Sequence, residues 1–120
     1  MKELEQYFKA LGDTNRLRIL NLLLHGEFCV CDIQYVLQAT QPNVSRHLSY
    51  LKSSNLVLDR RDGYRIFYRL AAPKQGTKRR LFEFLQNAYK NEEQLQADKK
   101  RLREAIEAGS CMTCPPKNRF

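Results

Sequence analysis

The hydrophobic pattern changes from a helical period to a strand period at residue 56, and this change narrows the folds open to the chain. Up to Asn55 apolar residues recur every three or four positions, which predicts four short helices. Two stretches rich in aromatic and β-branched residues, Leu56–Arg60 and Tyr64–Leu70, then flank Arg61-Asp62-Gly63. Asp-Gly between such stretches predicts a tight hairpin turn. We therefore expect a mainly α fold with a small β-hairpin.

Capping residues divide the helical part of the sequence. Residues 2–11 form the first predicted helix, Asp13 can cap a second that runs to about His25, and residues 31–38 form a third. Thr40 caps the fourth, with Pro42 in its first turn, where a missing N–H is tolerated. After the hairpin one long helix is predicted from Thr77 to about Ala108, with an apolar stripe of Leu81, Phe84, Leu85, Ala88, Leu95 and Leu102.

The length of 120 residues fits one folded domain, residues 1–108, followed by a cysteine-containing tail, residues 109–120. No run of about 18 apolar residues predicts a membrane span, and the N-terminus lacks an apolar signal stretch. These features predict a cytoplasmic protein that does not enter membranes.

Two short helices followed by a hairpin describe a winged helix-turn-helix, in which the second helix of the pair enters the major groove of DNA. The side of this helix opposite Val44, Leu48 and Leu51 carries polar groups that suit bases and phosphates, although a solvated helix face would look similar. The candidate DNA contacts on this helix are Gln41, Asn43, Ser45, Arg46, His47, Ser49 and Tyr50.

The distribution of charge favours DNA over simple solubility. The formal net charge is +8, and the segment from Arg46 to Arg80, with ten Lys or Arg and two Asp, alone accounts for that value. A basic segment of this kind indicates a polyanionic partner. On the hairpin we predict phosphate contacts from Arg60, Arg61 and Arg65.

Four cysteines in a cytosolic protein indicate metal or redox chemistry more than structural disulfides. Cys29 and Cys31 lie at the predicted start of the third helix, with Cys31 at the N-cap position, although small buried cysteines are the alternative. Thiolates select soft ions and, by extension, trivalent arsenic. Binding one ion through both sulfurs requires non-helical backbone here, because residues two apart on a helix diverge. If the ion-free protein extended its third helix over these residues, binding would unwind that turn.

Three motifs in register, Asp13–Leu20, Gln41–Leu48 and Arg60–Gly63 with Tyr68–Leu70, resemble the ArsR/SmtB family of metal-responsive repressors. Glu27–Asp32 is similar to the cysteine element of the arsenite-responsive branch. The resemblance implies a homodimer built from the first and last helices. It also implies release from an inverted-repeat operator when arsenite, antimonite or another soft metal ion binds.

Two departures from the family pattern concern the metal site. Many arsenite-type members carry a third cysteine where this chain has Gln34, and the long C-terminal helix lacks the histidines of the zinc-type members. Cys111 and Cys114 have the Cys-x-x-Cys spacing of metal and redox sites. They could supply a third ligand in place of Gln34, form a separate site, or have no role.

Other functions differ in their inducer or their class. A cadmium- or lead-responsive repressor and a thiol-redox repressor share the predicted fold. A thiol oxidoreductase or metal carrier would use Cys111 and Cys114, but a long helix precedes them instead of a βαβ unit. No catalytic triad or phosphate loop is visible in the sequence, so we expect no enzyme activity.

Overall fold

The helices begin and end where the capping residues predict. The computed structural model describes residues 1–108 and contains, in chain order, α1 (Lys2–Leu11), α2 (Thr14–Leu23), β1 (Phe28–Cys29), α3 (Val30–Leu37), α4 (Gln41–Ser53), β2 (Val57–Asp62), β3 (Arg65–Leu70), α5 (Thr77–Tyr89) and α6 (Glu93–Ala108). The Asp13 carboxylate accepts a hydrogen bond from the backbone N–H of Arg16, and the Thr40 hydroxyl accepts one from Asn43. Both predicted N-caps are therefore confirmed.

The sheet has three antiparallel strands in the order β1-β3-β2, one more than the predicted hairpin. Asp62 pairs with Arg65, so the turn consists of Gly63 and Tyr64 and lies one residue later than predicted. Gly63 has a φ of 64°, which glycine adopts without steric cost. The added strand β1 is two residues long, and Cys29 in it pairs with Phe67.

The single long C-terminal helix was predicted wrongly, because the chain turns at residues 90–92 between α5 and α6. Tyr89 ends α5 with its hydroxyl donating to the carbonyl of Leu17. The turn lets α6 fold back so that Leu95 and Leu102 are buried in the same core as Leu85. Phe84 does not join this core: its side chain is 66% exposed, and Phe82 is buried instead.

The core lies between α2, α3, α4 and α6 on one side and the sheet on the other. Ile19, Ile33 and Leu48 are fully buried at its centre. This packing fixes α4 against α3 as a helix-turn-helix and places the hairpin beside α4. Within residues 1–108 no helix combines the length and apolar character that a membrane span requires.

Candidate nucleic-acid interface and thiol site

Helix α4 buries one face and exposes the face predicted to contact DNA. Val44, Leu48 and Leu51 are completely buried against the core. The exposed predicted contacts are Gln41, Arg46, Ser49 and Tyr50, while Asn43 and Ser45 are half-buried at the edge of this face. These side chains present amide, hydroxyl and guanidinium groups, which hydrogen-bond to base edges and phosphates.

His47 has a structural position that differs from the predicted one. Its side chain is 15% exposed and turns toward α2, with Nδ1 3.7 Å from Oδ2 of Asp13. The same nitrogen lies 3.4 Å from Nη1 of Arg16. His47 therefore joins α4 to α2 and does not belong to the exposed face.

Arg16, which we did not predict as part of the site, positions Tyr50. Its guanidinium carbon lies 4.1 Å from the centre of the Tyr50 ring, within the range of a cation–π contact. Its Nε and Nη2 donate to the carbonyls of Ala10 and Lys9, 2.7 and 3.1 Å away. Arg16 thus links the end of α1 to α4. Only its place in the Asp13–Leu20 motif could have drawn attention to it.

A shallow groove of about 400 Å³ runs between α1 and α4 beside this contact. Lys9 and Gln6 from α1 line it together with Arg46, Ser49 and Tyr50 of α4. Lys9 was not predicted as part of the interface. The structure places this cation next to the polar face of α4.

The predicted hairpin arginines have three different environments. Arg61 is exposed, as a phosphate contact requires. Arg60 forms an ion pair with Glu27, with Nη2 2.7 Å from Oε1, and hydrogen bonding to this carboxylate raises the pKa of Arg60. Arg65 is only 5% exposed, so it is not among the cations that the hairpin presents to solvent. Tyr64, at the tip, is 95% exposed and was not predicted.

Cys29 and Cys31 flank the start of α3, one residue earlier than predicted. Cys29, not Cys31, is the N-cap of α3, with extended backbone (φ −83°, ψ 161°). Its side chain is 1% exposed, and its Sγ donates to Oδ2 of Asp32 at 3.5 Å. Cys31 is the second residue of the helix and is half-buried. The ion-free helix thus extends over Cys31 but not over Cys29.

A row of side chains connects the thiols to the hairpin. Cys29 pairs with Phe67, which pairs in turn with Arg60, so the three side chains share one face of the sheet. Cys31 packs against Cys29 and Phe67. The guanidinium carbon of Arg60 lies 4.5 Å from the centre of the Phe67 ring. The thiol pair therefore contacts the same sheet that carries the exposed hairpin tip.

The described residues account for half of the predicted metal-ligand set. Within residues 1–108, no group of three or more His, Cys, Asp or Glu side chains is arranged to hold a metal ion. Cys111 and Cys114 lie outside the described residues.

The helix-turn-helix, the hairpin and the exposed polar face of α4 define a winged helix-turn-helix DNA-binding protein. Residues 13–58 match the family described as "Bacterial regulatory protein, arsR family". The chain belongs to this ArsR family. Its relatives are transcriptional regulators and not enzymes, in agreement with the expectation from the sequence.

Two curated relatives are regulators of metal or metalloid resistance. The arsenical resistance operon repressor of Escherichia coli K12 is 49% identical over 67 residues, which cover 55% of this chain and 57% of that protein. The cadmium resistance transcriptional regulatory protein CadC of Listeria innocua serovar 6a is 41% identical over 63 residues, covering 52% and 53%. The chain thus spans little more than half the length of these relatives.

A solved structure covers more of the fold. The homodimeric winged helix-turn-helix DNA-binding domain Mb0332 of Mycobacterium bovis, a possible ArsR-family transcriptional regulator, superposes with a TM-score of 0.65. It is 35% identical, and the match covers 74% of this chain and 80% of that one. This similarity supports the winged helix-turn-helix assignment well beyond residues 13–58.

Proposed function

We propose that this protein is a transcriptional repressor that leaves its operator when a thiophilic metalloid or metal ion binds Cys29 and Cys31. One observation carries the proposal: Cys29 is both the N-cap of the helix that supports α4 and the strand partner of the hairpin. A change at this residue acts on both DNA-contacting elements. A DNA-bound regulator with reduced thiols also suits the cytoplasm.

The repressor binds an inverted repeat as a homodimer. In this docking mode the exposed face of α4 enters the major groove, and Arg61 and Tyr64 approach the adjoining backbone. A two-fold dimer places its half-sites about one helical turn, roughly 34 Å, or a multiple of it apart. The Mycobacterium bovis relative is homodimeric, which supports this assembly.

The dimer face consists of α1 and α5. Their exposed apolar side chains are Leu4, Phe8 and Phe84, which are 40%, 63% and 66% exposed. Helix α6 does not offer such a face, because Leu95, Leu102 and Ala105 are buried within its own chain. The partner contact thus involves the last-but-one helix and not the last.

Arsenite is the first inducer to test, with antimonite next. Thiolates are the protein ligands that soft ions prefer. The E. coli relative is an arsenical resistance repressor, whereas CadC is a cadmium resistance regulator. Cadmium, lead and zinc therefore belong in the same titration, under reducing conditions.

Inducer binding releases DNA because it competes with the present contacts of Cys29. Its sulfur now donates to Asp32 and packs against Phe67. Bringing the sulfurs of Cys29 and Cys31 to one ion requires the first turn of α3 to leave helical geometry. Because α3 packs on α4 and Phe67 lies beside Arg60, the recognition helix and the hairpin lose their relative position.

The Cys29→Ser, Cys31→Ser double variant tests the proposal. Serine at residue 29 is a good N-cap, so the helix start should survive and operator affinity should stay within a few fold of wild type. Arsenite should no longer release the DNA, as followed by fluorescence anisotropy of a labelled operator. Release of the double variant at the wild-type arsenite concentration would show that the inducer binds elsewhere.

A further inference from the structure

Helix α6 lies outside the residues that match the family, and the structure shows how its first half is held. Asp98 is fully buried and accepts two hydrogen bonds from Arg18 of α2, at 2.8 and 2.9 Å. Asn21 donates to the carbonyl of Leu95 at 3.2 Å. These contacts anchor the beginning of α6 on α2.

The second half of α6 lies along α3. The contact between α3 and α6 is more extensive than that of any other pair of helices in the described chain. Arg101 donates to the carbonyl of Val36 at 3.0 Å, one residue before α3 ends. The remaining contact must therefore run from Arg101 toward the start of α3, so the two helices are antiparallel. A cavity lined by His25, Leu102 and Ile106 places the end of α6 beside the segment that precedes β1.

The register brings the end of α6 level with Cys29. From Arg101 to Ala108, and from Val36 back to Cys29, the axial distance is about 10 Å in each case at about 1.5 Å per residue. Packed helices have axes about 8–10 Å apart. Because an extended chain spans at most about 3.5 Å per residue, Cys111 lies within about 10 Å of Ala108, and Cys114 within about 20 Å.

We infer that α6 delivers one thiolate, from Cys111 or Cys114, to Cys29 and Cys31 of its own chain. This inference rests on the proposed function and adds a three-sulfur site for trivalent arsenic to it. The third sulfur replaces the one that is missing at Gln34, on the turn of α3 after Cys31. Because α6 packs on its own α2 and α3, each chain forms its site without a partner.

The chemistry of the site balances without an oxidant or reductant. Arsenite enters as the neutral trihydroxide, and each sulfur replaces one hydroxide on arsenic. Three S–H bonds and three As–O bonds break, three As–S bonds form, and each thiol proton leaves with a hydroxide as water. Arsenic remains trivalent, and the third thiol fills its remaining position.

The test counts the thiols that one bound arsenic protects from an alkylating reagent, together with the Kd for arsenite. Wild type should protect three thiols per chain. The Cys111→Ser, Cys114→Ser double variant should protect two and bind at least tenfold more weakly, with unchanged operator affinity. Met112→Ser is the matched control in the same segment and should behave as wild type. Two protected thiols and an unchanged Kd in the double variant would refute the inference.

A positioning variant checks the role of α6 without removing a sulfur. Arg101→Ala removes the bond to Val36 and should raise the Kd for arsenite severalfold, whereas Lys100→Ala, exposed on the same helix, should not. An unchanged Kd in Arg101→Ala would contradict delivery by α6.

Two further outcomes separate this inference from the proposed function. If the Cys29→Ser, Cys31→Ser variant still binds arsenite tightly, the proposed function fails. If only this variant loses binding, the proposed function stands and the tail is not a ligand. Mixed dimers of the two double variants should contain no three-thiol site, and restored tight binding would show that the site forms between chains.

Discussion

At the scale of single residues, Asp98 is the charge that the fold isolates most completely. It is fully buried, and Arg18, 14% exposed, is its ion-pair partner. Hydrogen bonding to Asp98 raises the pKa of Arg18, against the effect of burial. Gln94 donates to the same carboxylate. The pair therefore holds α6 on α2 through satisfied polar groups.

Removing one member of this pair should destabilise the protein. Asp98→Ala leaves Arg18 without its carboxylate and should cost about 3 kcal/mol of the free energy of unfolding, measured with urea. Glu104→Ala, exposed on the same helix, should change it by less than about 0.5 kcal/mol. An Arg18→Leu, Asp98→Leu variant should be close to neutral, because a buried pair contributes little net stability. Equal losses in the single and double variants would show that the pairing itself is unimportant.

Residues whose roles depend on near neighbours were predictable. The caps Asp13 and Thr40 bond within three residues, and the buried face of α4 follows from its own period. His47 and Arg65 were not predictable. His47 contacts Asp13, far earlier in the chain, and the burial of Arg65 is set by the packing of the sheet.

At the scale of elements, the hairpin separates cations that look equivalent in the sequence. Arg61 should contact phosphate because it is exposed, whereas Arg65 is buried. Arg61→Ala should lower the slope of log K against log salt by about 0.9 and weaken binding to all sequences alike. Arg65→Ala should leave the slope unchanged and lower stability instead. Identical slopes for wild type and Arg61→Ala would place the hairpin away from the DNA.

Two elements escaped prediction for physical reasons. Strand β1 has two residues, too few for a period of two to be visible, and it exists because β3 offers an edge to pair with. The break between α5 and α6 contains neither proline nor glycine, so no local signal marks it. It forms because Tyr89 and Leu95 are buried on the same body of the protein, which a straight helix does not allow.

At the scale of the whole molecule, Phe84 should decide assembly. Phe84→Glu places a charge in the proposed α1–α5 face and should convert the dimer to a monomer in sedimentation experiments. Operator affinity should fall by more than tenfold, because a monomer contacts one half-site. Tyr35→Glu is the matched control: Tyr35 is 42% exposed on α3, so the dimer should persist. A dimeric Phe84→Glu variant would rule out this face.

The burial of Cys29 also has a consequence for time. A sulfur that is 1% exposed cannot meet an ion from solution until β1 separates from β3 or the first turn of α3 opens. Such local openings have their own rate, independent of how much inducer is present. The speed of induction should therefore rise with inducer concentration only to a plateau, set by how often the protein opens this corner. The chain would then sense exposure that lasts, while brief encounters leave repression in place.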